Sequence, residues 1–405
     1  MLHGILLCLA VLAFLSIALE EVIHINKAKT TLLLGTLSWI LLFAFEPSPA
    51  VTAGFQEGLL EVAQLWLFLL AAMTFVAYLN QHGMVEGLVY RLLPKRLPER
   101  SVPFIVVLFC FVLSSFADNI TATLVAVALI LSLQLEQAKN IKLAVLAVFG
   151  INSGGAALIT GDVTTLMIFN ADKVGILDLM QLVPAGLISC VLLACLMLPG
   201  FKGDVRVPRQ RKQTELLDKI IGIIFLLTIL LTLIVNSFMY IPPLLVFLFG
   251  LSLVFMLVHW VRHDPNDIPI MDYIRKIEFD TLLFFLGVLL LVGMLKEIGT
   301  LDLITQLYAV LPSTMANYAI GLCSAVLDNV PLTAAVLGSE LDMPLEAWLG
   351  LTYSVGVGGS MLAIGSAAGI IVMSKVQGVT FGSYLRYFPH LLIAYTTGFT
   401  LVNVL

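Results

Sequence analysis

Charge is what this chain of 405 residues has least of: Asp, Glu, Lys and Arg together make up 12% of it. A soluble domain carries about 25%. With 60% hydrophobic residues and a mean hydropathy of +1.05, lipid is the main solvent of this chain. No basic block is long enough to bind nucleic acid. Cysteine is sparse too. Cys8, Cys110, Cys190, Cys195 and Cys323 all lie in apolar runs without metal-ligand spacing, and they read as inert packing residues. The first 21 residues lack a basic n-region, a small-residue cleavage site and the Arg- and Ser-rich character of a transit peptide. They read as a retained first helix.

What is present is the apolar run, repeated. A spanning helix needs roughly 20 apolar residues. Closed barrels give short alternating segments instead, so the pattern predicts an all-α polytopic membrane protein. Ten spans are expected, over 4–23, 30–45, 59–80, 143–169, 179–199, 220–237, 243–261, 279–296, 347–374 and 384–404. Two further apolar segments, 103–133 and 314–337, are each interrupted by a polar knot. They read as re-entrant helical hairpins. Loop charge favours that choice. With the N-terminus outside and each hairpin ending on the side where it began, 19 of the 21 Lys and Arg residues fall inside, leaving Lys173 and Lys296. Both termini are then outside the cell (inner) membrane.

The chain also repeats itself. SSFADNITAT (114–123) matches SAVLDNVPLT (324–333) at an offset of 210 residues. NSGGAALITGDVTT (152–165) matches GVGGSMLAIGSAAG (356–369), and Pro184 matches Pro389. Each copy is a span, a hairpin with an Asp-Asn tip, a Gly-broken span and a final span. The expected division is N-terminal scaffold helices over 1–58, repeat one over 59–201, a cytoplasmic linker with two intervening spans over 202–277, and repeat two over 278–405. Copy one starts outside and copy two inside, so the copies are inverted. Inverted repeats with paired broken helices mark secondary transporters, with the site near the bilayer midplane.

Asp118 and Asp328 stand inside apolar runs, where a charge costs about 2.5–3.5 kcal/mol on insertion scales. A buried acid held at that cost points to a ligand. Asn119, Thr121 and Asn329 follow them. Carboxylate, amide and hydroxyl oxygens are hard ligands for small hard cations. Pro331 and the pairs Gly154–Gly155 and Gly358–Gly359 break helices and free backbone carbonyls. The second knot offers Asn152, Ser153, Thr160, Asp162, Thr164 and Thr165 in copy one, against Ser354, Ser360 and Ser366 in copy two. Ser366 stands where Asp162 does, so the third acid exists on one side only. The three acids are candidate Na+ ligands. A desolvated carboxylate can hold a proton or a cation, and alternating access would exchange the two. The plainer role for each Asp is a helix N-cap, which can coexist with ion binding.

At SSFADNIT, LDNVPLTAA, NSGGAALITGDVTT and GGSMLAIGSAAG the sequence resembles the NhaD-type Na+/H+ antiporters. These belong to a superfamily that includes arsenite pumps and sodium–dicarboxylate carriers. The resemblance covers nearly the whole chain. It implies a non-enzymatic transporter without a cofactor, a homodimer, and an elevator-like transport domain exchanging Na+ or Li+ for H+. Carried over, the functional residues are Asp118, Asn119, Asn152, Asp162, Thr164, Thr165, Asp328, Ser360 and Ser366. Dicarboxylate carriers have Ser-Asn-Thr at both tips. An acid there repels a dicarboxylate, and no buried Arg is on offer to pair with one. Carboxylate transport therefore ranks below cation exchange, and arsenite or another neutral hydroxide stays open as an alternative. An intramembrane aspartyl protease is disfavoured, because Gly161-Asp162 lacks the glycine expected two positions before the Asp and no Tyr-Asp partner appears. A channel would leave the paired breaks unexplained.

Overall fold

A computed structural model describes residues 2–18, 25–82, 96–206, 216–239, 241–261, 274, 277 and 279–404. These residues are almost wholly helical. The N-terminal helices are α1 (Leu2–Ala18), α2 (Lys27–Phe45) and α3 (Pro49–Gln81). Helix α3 begins ten residues before the expected span. Pro49 supplies a helix start, since its fixed φ suits the first turn and its missing N–H is not needed there.

The chain continues with α4 (Val102–Phe116), α5 (Asn119–Ser132), α6 (Gln137–Gly155), α7 (Val163–Asn170), α8 (Ile176–Leu179) and α9 (Leu182–Met197). Two intervening helices follow, α10 (Leu216–Met239) and α11 (Pro243–Val261). The remaining helices are α12 (Phe279–Glu297), α13 (Asp302–Val310), α14 (Ser313–Ser324), α15 (Asn329–Gly338), α16 (Leu345–Gly358), α17 (Ala367–Lys375), α18 (Phe381–Leu385) and α19 (Phe388–Val402). The two-helix segments α4–α5 and α14–α15 fall on the expected hairpins. The split pairs α6/α7 and α16/α17 fall on the expected broken spans. Helix α13, with no buried residue, has no counterpart among the expected elements.

Among the described residues seven helices are long and apolar enough to cross a membrane, and the chain is a multi-pass membrane protein. Of the split helices, α6 has the length at 19 residues but is too polar, and α7, α16 and α17 are too short. The expected first span runs past Ala18 into residues outside those described. One part of the expected linker has structure of its own. Strand β1 (Arg96–Pro98) pairs antiparallel with β2 (Asp204–Arg206), and Glu99 Oε2 ties the ribbon by accepting from Lys139 Nζ and the Lys202 amide, both at 2.8 Å.

The two matching sequence segments, copies one and two, share local backbone features. Left-handed φ values occur at Gln134 (50°) and Glu340 (52°), each just after the second hairpin helix. They recur at Asp172 (55°) and Gly378 (86°), each just after the second half of a broken helix. Packing is reciprocal as well. Helix α4 lies along α6 as α14 lies along α16. Helix α7 of copy one packs on α15 of copy two, while α17 of copy two packs on α5 of copy one. The breaks meet at the centre, where Gly356 faces Ala156 and the Asn152 carbonyl.

Candidate functional site

Four helices begin at the polar knots, and each begins at a side-chain cap. An N-cap oxygen satisfies amides that have no partner within the helix. Asp118 Oδ1 accepts from the Ile120 and Thr121 amides (3.1 and 2.9 Å) at the start of α5. Asp328 Oδ1 accepts from the Val330 amide (3.3 Å) at the start of α15. Asp162 Oδ1 accepts from the Thr164 amide and hydroxyl, both at 2.9 Å, at the start of α7. Ser366 Oγ accepts from the Gly369 amide (3.4 Å) at the start of α17. The plain capping role is therefore real for all four.

Asp162 does more. Its second oxygen, Oδ2, accepts from Asn119 Nδ2 at 3.0 Å and from Asn329 Nδ2 at 3.2 Å. One amide comes from each hairpin tip. Asp162 is 5% exposed and receives four hydrogen bonds, none from a formal cation. A buried carboxylate needs such donors, since its desolvation costs several kcal/mol. Asn119 is oriented in turn by Ser114, whose Oγ donates to Asn119 Oδ1 at 2.8 Å.

The three aspartates are not gathered into one cluster. Among the described residues no group of three His, Cys, Asp or Glu side chains could hold a metal ion. Capping turns Asp118 toward α5. Asp328 Oδ2 accepts instead from Lys27 Nζ at 2.5 Å. Sequence reasoning misses Lys27, which falls among the inside loop charges. It lies in the first turn of α2, where a cation opposes the helix dipole. That misplacement was the available signal.

The remaining candidates surround this centre. Asn152 is wholly buried with both side-chain atoms unpaired, and Ser153 is buried beside Cys190. Thr165 Oγ1 donates to the Ala156 carbonyl (3.3 Å) and Thr160 Oγ1 to the Ser115 carbonyl (2.8 Å). Ser360 Oγ donates to the Val357 carbonyl (2.5 Å), and its own carbonyl accepts from Tyr384 OH (2.6 Å). Ser354 Oγ donates to the Leu351 carbonyl (3.0 Å). Pro331 sits in the first turn of α15, where it starts the helix and does not break it. The Gly pairs allow close approach. A Cβ at Gly154 would lie 2.0 Å from the Phe111 carbonyl oxygen, and one at Gly358 would lie 2.1 Å from that of Gly321. A Cβ at Gly155 would meet Asn119 Oδ1 at 2.8 Å. A cavity of about 210 Å³ follows α7 away from Asp162, lined by Glu57, Glu61, Asn170, Lys296 and Glu297 among others.

A bundle of membrane-crossing helices, broken twice and with a polar centre at the breaks, is a membrane transporter. Comparison with known proteins specifies it further. Residues 5–344 match the citrate transporter family. The chain is 32% identical to the Na+/H+ antiporter NhaD of Vibrio cholerae, covering 96% of this chain and 89% of the relative. It is 30% identical to NhaD of Halomonas elongata (95% and 84%) and 30% identical to sodium/proton antiporter 1 of Arabidopsis thaliana (92% and 69%). The chain belongs to this transporter family and, within it, to the NhaD-type antiporters.

Proposed function

We propose that the chain exchanges Na+ or Li+ for H+ by alternating access, with cation and proton competing for Asp162. One observation carries the reading: both hairpin tips deliver an amide to the same buried carboxylate oxygen. An Asn side chain offers a donor and an acceptor on one flat group. Asn119 and Asn329 present N–H to Asp162. Turning either amide over presents its oxygen to a cation beside that carboxylate. The same two groups thus serve both charge states. Asn152, unpaired and adjacent to the break, adds a further oxygen.

In this reading the copies are inverted repeats and the hairpins are re-entrant. They travel with the broken helices as one unit against α2, α3 and α12. Reciprocal packing of α7 on α15 and of α17 on α5 supports it. The protein then resides in the inner membrane as a homodimer with both termini outside. The family description raises citrate as cargo. Lys27, which reaches the second hairpin tip, is already engaged by Asp328, which disfavours an anion. Dye dequenching in inverted vesicles, on adding Na+, Li+, K+ or citrate across a pH series, tests the proposal. Response to Na+ or Li+ supports it. Response to citrate alone refutes it.

A further inference from the structure

Lys27 is held in place from two sides. Asn26 caps α2 and donates its amide to Asp280 Oδ2 of α12 at 2.8 Å. The Lys27 ammonium then lies 4.4 Å from the centre of the Phe284 ring, also on α12. A cation over an aromatic face is attracted to the ring quadrupole. Farther along, Trp39 Nε1 donates to the Leu290 carbonyl at 2.8 Å, and α2 and α12 pack along each other as a pair. From that pair Lys27 reaches across to the hairpin tip and meets Asp328. The side chains are 19% and 12% exposed, so this is not a surface ion pair.

The partner of Lys27 is one residue from the centre of the site. Asp328 uses Oδ1 as a cap and Oδ2 for the ammonium, and Asn329 donates to Asp162. The equivalent acid of copy one, Asp118, pairs with no Lys or Arg among the described residues. The two tips therefore match in sequence but differ in charge. One carries its own countercation and the other does not.

We propose that Lys27 is a tethered competitor for the cargo cation at Asp328. Its ammonium holds the tip while the site is empty. Loading a cation there displaces it, which loosens the tip from the α2–α12 pair. Lys27 is a positioning residue in this scheme, acting through Asp328. The inference rests on the antiport reading above and adds a specific competitor to it.

The test uses Lys27→Met, Lys27→Arg, Asp328→Asn and the double variant Lys27→Met/Asp328→Asn in inverted vesicles. Lys27→Met keeps the apolar stem over Phe284 and removes the charge. The apparent KM for Na+ should fall by about tenfold, the scale of one close charge pair, while the maximal rate also falls. Lys27→Arg should restore KM toward the unmodified protein. On the Asp328→Asn background Lys27→Met should have no further effect on KM. An unchanged or raised KM in Lys27→Met, or additive effects in the double variant, overturns the proposal. Absence of Na+-driven proton flux in the unmodified protein refutes the antiport reading instead. In that event, Na+-dependent thermal stabilisation of the purified protein still decides the role of Lys27. Tighter Na+ binding by Lys27→Met upholds it and equal binding refutes it.

Discussion

Asn119 and Asn329, equivalent residues 210 positions apart, donate their side-chain amides to one oxygen of Asp162. The consequences can be tested residue by residue.

Asp162→Asn keeps the size and capping ability of the side chain but removes its charge. Asn caps a helix about as well as Asp. Thermal stability should stay within roughly 1 kcal/mol of the unmodified protein, while Na+-driven proton flux is lost. Asn119→Ala and Asn329→Ala should each slow exchange. Because both serve one oxygen, their effects should be non-additive, as a double-mutant cycle on the flux rate would show.

Asp118 separates capping from cation binding. Asp118→Ala removes a cap and should cost about 1 kcal/mol of stability. Asp118→Asn retains the cap. If it also keeps full flux, Asp118 is only the cap of α5. The antiport reading expects Asp118→Asn to insert normally, melt as the unmodified protein does, and exchange poorly.

Gly155→Ala places a methyl 2.8 Å from Asn119 Oδ1 and 3.3 Å from the Asp162 Cβ. The amide must shift, and a misplacement of this size can lower a rate by about 100-fold. The melting temperature should fall less than in Gly154→Ala, where the methyl would meet backbone at 2.0 Å. Side-by-side melting and flux curves check both.

Gly378 has φ of 86° and Asp172 φ of 55° at equivalent turns. A left-handed residue with a Cβ costs roughly 1–2 kcal/mol. Gly378→Ala should therefore destabilise by about that much, whereas Asp172→Gly should not. Thermal melts of the two variants compare them directly.

Glu340 accepts from Lys296 at 2.8 Å, and that ammonium holds its carboxyl below the usual range. A lowered carboxylate contributes stability that is complete above its ordinary value and fades as pH falls through the lowered one. Glu340 is largely exposed, so Glu340→Gln should shift the melting temperature little, and equally at every pH from 6 to 9. A melt series across that range measures it.

Much of this architecture is legible without coordinates because it is written locally. Long apolar runs set the membrane class. Asp-Asn within an apolar run marks a helix start, since a short acid bonds its own backbone two residues on. Paired glycines mark a break. These signals lie within a few residues of one another, and they placed α4–α5, α6/α7, α14–α15 and α16/α17. Helix α13 and the β1–β2 ribbon were not legible. The first has no buried face, and the second pairs residues more than a hundred positions apart.

Local sequence was thus enough to show which residues are polar inside lipid, where polar knots interrupt the helices, and that Asp162 has no acid opposite it in copy two. Which of those residues meet depends on the packed fold. Asp162 joins Asn119 and Asn329 across 43 and 167 residues, and Asp328 joins Lys27 across 301. Such contacts depend on how helices pack, and one chain's order of residues does not encode them locally. The three equivalent-looking acids consequently end in three different settings: one capping its helix alone, one neutralised by a lysine, and one wrapped by four neutral donors at the centre.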